Sequence, residues 1–140
     1  MGERGAGSAL VAGGSIGGLF AAAALLKAGW SVRVFERVGV ELAGRGAGIV
    51  THEPLSDALH AVGASTADLG VAVQDRVAFD ISGAVITRMR YPQIVTSWDR
   101  VHQILRRLMP EGAYQLGCAV TGYRQDSQHV TATFDDGSTE

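Results

Sequence analysis

The hydrophobic positions of this chain come in short runs whose period changes along its length. Ser8-Ala9-Leu10-Val11-Ala12 is an apolar run that stops at Gly13-Gly14, the pattern of a buried strand ended by a turn. From Ser15 to Ala28 the period becomes helical: Ile16, Leu19, Phe20 and Ala23 share one face, and Gly29 supplies a C-terminal stop. Ser31 to Glu36 alternates and is rich in β-branched residues, which predicts a second strand. Two strands joined by one helix predict a parallel pair with a right-handed crossover.

Downstream, Gly44-Arg45-Gly46-Ala47-Gly48-Ile49-Val50 predicts a glycine-rich loop running into a short strand. Pro54 to Val62 predicts a short helix with Leu55, Leu59 and Val62 on one face. Val71–Phe79 and Ala84–Met89 are strand-like runs around Ile81-Ser82-Gly83, a hairpin pattern. Trp98 to Met109 predicts a helix with Val101, Leu105 and Leu108 inward, stopped by Pro110. Tyr114–Tyr123 and His129–Phe134 predict two strands joined by a polar turn at Gln125–Gln128. Asp136-Gly137 is a further turn signal, after which another strand is expected. There is no internal repeat. The expected class is α/β, with three stretches: a βαβ region over 1–70, the start of an antiparallel sheet over 71–97, and a return to the first region over 98–140.

Composition narrows the function. A net charge of −2 gives no electrostatic footprint for nucleic acid. The single cysteine, Cys118, excludes a disulfide within the chain and fits a reducing cytoplasm; it reads as a small buried hydrophobe on an apolar strand. His52, His60, His102 and His129 show no metal-ligand spacing, so no structural zinc is expected. The opening residues carry neither a myristoylation nor a secretory pattern. The stretch from Gly5 to Leu26 is uncharged and long enough to span a bilayer, but its cluster of glycines breaks a helix more readily than it supports one, so no membrane span is expected.

The chemistry sits at the first turn. Set against Gly-x-Gly-x-x-Gly, Gly13 is the first glycine, Ser15 stands at the second and Gly18 is the third. Gly13 permits the tight turn, a small residue at 15 lets the backbone approach a pyrophosphate, and Gly18 lets helix and strand pack closely. The pyrophosphate would face the unpaired N–H groups of the helix N-terminus. Ser15 either crowds the phosphate with its Cβ or serves as N-cap and phosphate donor through its hydroxyl. Glu36, at the end of the second strand, is placed to accept hydrogen bonds from an adenosine ribose and to repel a 2′-phosphate. Arg37 flanks the adenine or points to water. A ligand-free turn and a solvated strand-end carboxylate are the plain alternatives.

At these residues the chain resembles the FAD-dependent aromatic hydroxylases, the class A flavoprotein monooxygenases of the p-hydroxybenzoate hydroxylase type. The matching stretches are Leu10–Leu19, Val32–Arg37 and Gly44–Val50. Within the family it is most similar to the 2,6-dihydroxypyridine hydroxylase branch, where Gly-Gly-Ser-Ile also occurs; Thr96-Ser97-Trp98-Asp99 and the later hairpin keep the same order. The resemblance implies a Rossmann-like FAD/NAD(P)-binding βαβ fold with the beginning of an antiparallel substrate-domain sheet. It implies that Gly13, Ser15, Ile16 and Gly17 line the FAD pyrophosphate, with Gly18 completing the cofactor-binding loop, that Glu36 binds the ribose, and that Arg37 lies near the adenine. The Arg45–Ile49 loop, with Arg45 and Gly48, would run beside the flavin end. Many relatives place an FAD-contacting Arg where this chain has Trp98, which leaves Arg100 as the nearby substitute.

The implied function is the FAD-binding region of a monooxygenase that hydroxylates a small aromatic or heteroaromatic substrate with O2, NAD(P)H serving as transient reductant. The family's later nucleotide motifs do not occur here. The chain therefore reads as an N-terminal piece, inactive alone, of a protein for which a homodimer stands open. No catalytic acid–base pair is found, and His52 reads as a capping or solvated residue. Two other readings stand beside this one: a NAD-binding oxidoreductase domain, and a truncated chain that associates with a complementary one.

Overall fold

The strand that opens the described fold is short, apolar and parallel to the strand it pairs with. In the computed structural model, which describes residues 7–42, 44 and 46–140, β1 (Ser8–Ala12) leads through a glycine turn into α1 (Ile16–Lys27) and back into β2 (Ser31–Glu36). β1 and β2 pair in parallel, Leu10 opposite Arg33 and Ala12 opposite Phe35. β6 (Tyr114–Leu116) joins the other side of β2, also in parallel, so β2 is the centre of a three-stranded sheet. A parallel sheet needs cover on both faces, and the alternation of β2 provides for it. Val32 and Val34 face a core built with Leu19, Ala22 and Ala23 of α1, Leu59 of α2 (Glu53–Ala61), and Val101, Ile104 and Leu105 of α3 (Trp98–Arg106). Phe35 faces the opposite way and meets Ala132 and Phe134, its ring 4.7 Å from that of Phe134. Those two residues lie on β8 (Val130–Phe134), which forms an antiparallel hairpin with β7 (Val120–Gln125).

A second, antiparallel sheet has the order β3 (Gly48–Val50), β5 (Val85–Ser97), β4 (Val71–Phe79). The α/β class with an antiparallel sheet is thus as expected, and the second glycine loop does run into a short strand. That strand pairs with β5, so the antiparallel sheet takes one of its strands from upstream of residue 71. The hairpin turn is fixed by Asp80, whose Oδ1 accepts from the N–H of Ser82 and of Ala84 and from the Ser82 hydroxyl; these bonds hold its carboxyl below the usual carboxylate range.

Three predicted boundaries are corrected. β5 does not end at Met89 but continues to Ser97 through Pro92. Proline has no N–H to give a ladder, and the strand accommodates it in a bulge: the register steps from Asp75–Arg90 to Val73–Gln93, two residues opposing one. The predicted Tyr114–Tyr123 strand is two strands in different sheets. Gly117, at φ +69, turns the chain out of the parallel sheet, and the N–H groups of Gly117 and Cys118 bond back to Val38 and Glu36 carbonyls. α3 ends at Arg106, and its last residues before Pro110 are turn. After Asp136-Gly137 the chain folds back along β8, with Ala132 and Glu140 exchanging both backbone hydrogen bonds. Among the described residues no helix is long and apolar enough to cross a membrane; the uncharged stretch is divided between β1 and α1.

The glycines of the first turn answer to different constraints, which gives a test of opposite sign. A Cβ on Gly18 would fall on the carbonyl oxygen of Gly13, whereas one on Gly17 meets nothing within 4 Å. Gly18→Ala should lower the stability to urea by about 2 kcal/mol, as overpacking does. Gly17→Ala should be neutral or stabilising by up to about 1 kcal/mol, from helix propensity.

Candidate dinucleotide site

The turn between β1 and α1 is built around a glycine that no other residue can replace without strain. Gly13 has φ +104, and its N–H donates to the Phe35 carbonyl at 2.8 Å, tying the turn to the end of β2. Gly14 follows and is buried. Its N–H donates to Glu36 Oε2 at 2.8 Å. Its carbonyl accepts from two side chains, His102 Nε2 and Tyr114 Oη, each at 3.0 Å. A Cβ at Gly14 would fall on the Tyr114 hydroxyl, so the side-chain-free position is required for that closure.

Ser15 sits at the N-cap of α1 with extended backbone and an exposed side chain, and its hydroxyl makes no capping bond. α1 also has no acidic residue in its first turn. The other two helices are equipped differently. His52 caps α2 through Nδ1, which accepts from Leu55 N–H at 3.3 Å, and Glu53 follows it; Ser97 caps α3 and Asp99 follows. The first-turn N–H groups of α1 therefore carry the positive end of the helix dipole with neither a side-chain cap from Ser15 nor a first-turn acid to answer it. Of the two readings of His52, capping or solvated, the cap is the one observed, and Ser15 holds the cap position without the capping bond.

Glu36 is 6% exposed, and its second oxygen, Oε1, accepts from Val38 N–H at 2.9 Å. Each carboxylate oxygen has a further lone pair, so the group keeps acceptor capacity toward the surface beside it. That surface is a pocket of about 240 Å³ lined by Ala12, Gly13, Phe35, Glu36, the exposed Arg37, and Cys118–Val120. Cys118 is thus corrected: it lies in the link between β6 and β7, half-buried, in the pocket wall.

The second glycine loop is laid against the start of α3. Gly44 N–H donates to Asp99 Oδ1 at 3.0 Å, the Ala47 carbonyl accepts from Trp98 N–H at 3.1 Å, and a Cβ on Gly46 would lie 2.5 Å from Trp98 Cβ. Arg45 lies outside the described residues. Gly48 is in β3 opposite Ser97, with room for a side chain. Trp98 stacks on His102, ring centroids 4.8 Å apart at 15°. The two glycine loops are therefore joined through one turn of α3, from Gly46 by way of Trp98 and His102 to Gly14. Arg100 is drawn elsewhere: its Nε donates to the Asp68 carbonyl at 2.7 Å, and its guanidinium is 3.4 Å from the Asp68 carboxylate.

The structure thus gathers Gly13, Ser15, Ile16, Gly17, Gly18, Glu36 and Arg37 around one turn and pocket, and it directs Arg100 to Asp68. Sequence reasoning missed Gly14, Trp98, His102 and Tyr114. Trp98 and His102 stand at helical spacing i, i+4, a signal that was available. Nothing in the linear sequence joins either to Gly14. Among the described residues no group of His, Cys, Asp and Glu side chains is arranged to hold a metal ion.

No family model matches the chain. It is 33% identical over 129 residues to a 2,6-dihydroxypyridine 3-monooxygenase of Paenarthrobacter nicotinovorans, covering 91% of this chain and 32% of that enzyme. The structure of 2,6-dihydroxypyridine-3-hydroxylase from Arthrobacter nicotinovorans superposes with a TM-score of 0.81 at 30% identity, over 98% of this chain and 35% of the other. Klebsiella pneumoniae HpxO, solved with FAD and uric acid, shares the fold with a TM-score of 0.77 at 24% identity, over 96% and 36% of the two chains. The chain spans about a third of the length of the relatives it matches.

Tyr114 makes the site testable by pH. Burial first, then the charges of Glu36 and Glu41, push its hydroxyl up to about 12, against the opposing pull of Arg106, whose guanidinium lies 4.2 Å over the ring. A folded-state value above the ordinary 10 means the Tyr114 contribution to stability is complete below pH 10 and lost as pH rises through about 12. Stability followed by circular dichroism should fall across that window, and Tyr114→Phe should flatten the fall.

Proposed function

We propose that this chain, which shares sequence and fold with a stretch of the FAD-dependent aromatic hydroxylases, holds the adenosine diphosphate part of FAD in a monooxygenase acting on a small aromatic or heteroaromatic ring. The observation that carries the reading is the uncapped N-terminus of α1, opened by Gly13 and set beside Glu36 and its pocket. The first-turn N–H groups and the Ser15 hydroxyl would hold the pyrophosphate, as anions are held at helix N-termini. Glu36 would accept from the ribose with its remaining lone pairs, and Arg37 would flank the adenine. A 2′-phosphate at Glu36 would be repelled.

Bound flavin supplies the oxidative chemistry, with NAD(P)H as its reductant, and the protein supplies placement. The loop over residues 44–48 would run beside the flavin end, with residues 48–50 and 71–97 forming the sheet on the substrate side. The stretches 1–70 and 98–140 supply the rest of the FAD-binding region. Glu36 would serve NAD equally well. The second glycine loop, tied to the first through Trp98 and His102, favours the longer cofactor. The lone thiol Cys118 accords with a reducing cytoplasm, and a homodimer is the assembly the reading carries forward.

Titration of the purified protein with FAD, followed by quenching of flavin fluorescence, should give a dissociation constant of about 1 μM or tighter. NAD should bind more weakly. Gly17→Ala, which keeps the fold, should weaken FAD binding by placing a methyl group where the phosphate approaches. A folded protein that takes up no FAD at tens of micromolar, as an order of magnitude, would overturn the reading.

A further inference from the structure

The carbonyl of Gly14 is an unusual point of convergence. It is buried, it belongs to the phosphate-facing turn, and its two hydrogen-bond donors come from α3 and β6, separated from it by 88 and 100 positions. A carbonyl can only accept, so His102 must carry its proton on Nε2, and Tyr114 must donate its hydroxyl proton. Neither side chain reaches the surface: His102 is 2% exposed and Tyr114 8%. His102 is held flat by its stack on Trp98 and meets the edge of Tyr114 at 6.5 Å and 81°.

The consequence lies on the far side of the same peptide bond. All peptide bonds in the described chain are trans. In a trans peptide the C=O and N–H vectors point in opposite directions within one plane. Anchoring the Gly14 carbonyl inward on His102 and Tyr114 therefore turns the Ser15 N–H outward, away from the core. The Gly14 N–H, on the preceding peptide, is fixed by Glu36, so the backbone has little freedom to rotate on either side of Gly14.

We propose that His102 and Tyr114 are positioning residues that aim the Ser15 amide at the cofactor pyrophosphate. The proposal rests on the FAD reading given above. Neither residue touches the cofactor; both act through Gly14. Two donors on one carbonyl leave no slack for the peptide plane to swing, as a single donor would.

The test compares two probes, ADP and adenosine, by calorimetry on the purified protein. ADP engages the aimed amide, whereas adenosine engages only Glu36 and the pocket. His102→Leu and Tyr114→Phe should each weaken ADP binding about fivefold, the value of one neutral hydrogen bond, and leave adenosine binding within about twofold. His102→Gln, whose side-chain amide can replace the Nε2 donor, should recover most of the ADP affinity. Amide hydrogen exchange at Gly14, whose N–H is buried on Glu36, read without any ligand, should quicken in His102→Leu and Tyr114→Phe and return toward the parent rate in His102→Gln.

A parallel loss of ADP and adenosine affinity, or unchanged exchange at Gly14 alongside unchanged ADP binding, would overturn the proposal while leaving the FAD reading intact. A folded parent protein that binds neither probe and no FAD would overturn the FAD reading, and the proposal with it.

Discussion

The backbone of Gly14 is polar at both ends and buried, and a buried backbone group left without a partner costs as much as a lost hydrogen bond or more. Most of what is specific to this fold can be traced to how that requirement is met. The N–H calls for an acceptor at the end of β2, and Glu36 provides it. The carbonyl calls for donors, and they come from the inner face of α3 and the start of β6. These contacts draw the parallel sheet, α3 and the first turn into one unit, so that the turn inherits the rigidity of the core.

The same helix serves the second loop. Its first residues take the Ala47 carbonyl and the Gly44 N–H, and Trp98 fills the space that Gly46 leaves by having no side chain. The ends of an extended cofactor would thus rest on loops whose separation is set by one turn of α3. Where many relatives are expected to carry an arginine, this chain has an aromatic ring that works by stacking on His102. Arg100, the nearby substitute for that arginine, gives its Nε to the Asp68 carbonyl and lies beside the Asp68 carboxylate.

The parts that follow from local physics were readable along the sequence. The apolar run of β1, the helical face of α1 and the alternation of β2 predict the βαβ unit, and capping was one of the two roles open to His52. The boundaries that failed did so for reasons lying elsewhere in the chain. Strand periodicity runs unbroken across Gly117, but the residues after it have their partner in β8 and not in β2. Pro92 looks like the end of a strand, and only a bulge opposite β4 lets the strand continue. His102 was passed over because the predicted inner face of its helix was drawn through Val101, Leu105 and Leu108. The buried face is wider and includes His102 and Ile104. A polar residue on such a face needs a partner, and the partner is 88 positions away.

That separation has a meaning in time as well as in space. A chain is synthesised from its N-terminus at roughly 5–20 residues per second, so the glycine turn leaves the ribosome about 5–20 s before the tyrosine that closes it. β1, α1 and β2 can pair meanwhile, since their contacts are local. Closing a loop of this length carries an entropic cost before any contact is made, and it slows the step that depends on it. The turn at Gly13 and Gly14 thus exists for seconds before it can take its final shape.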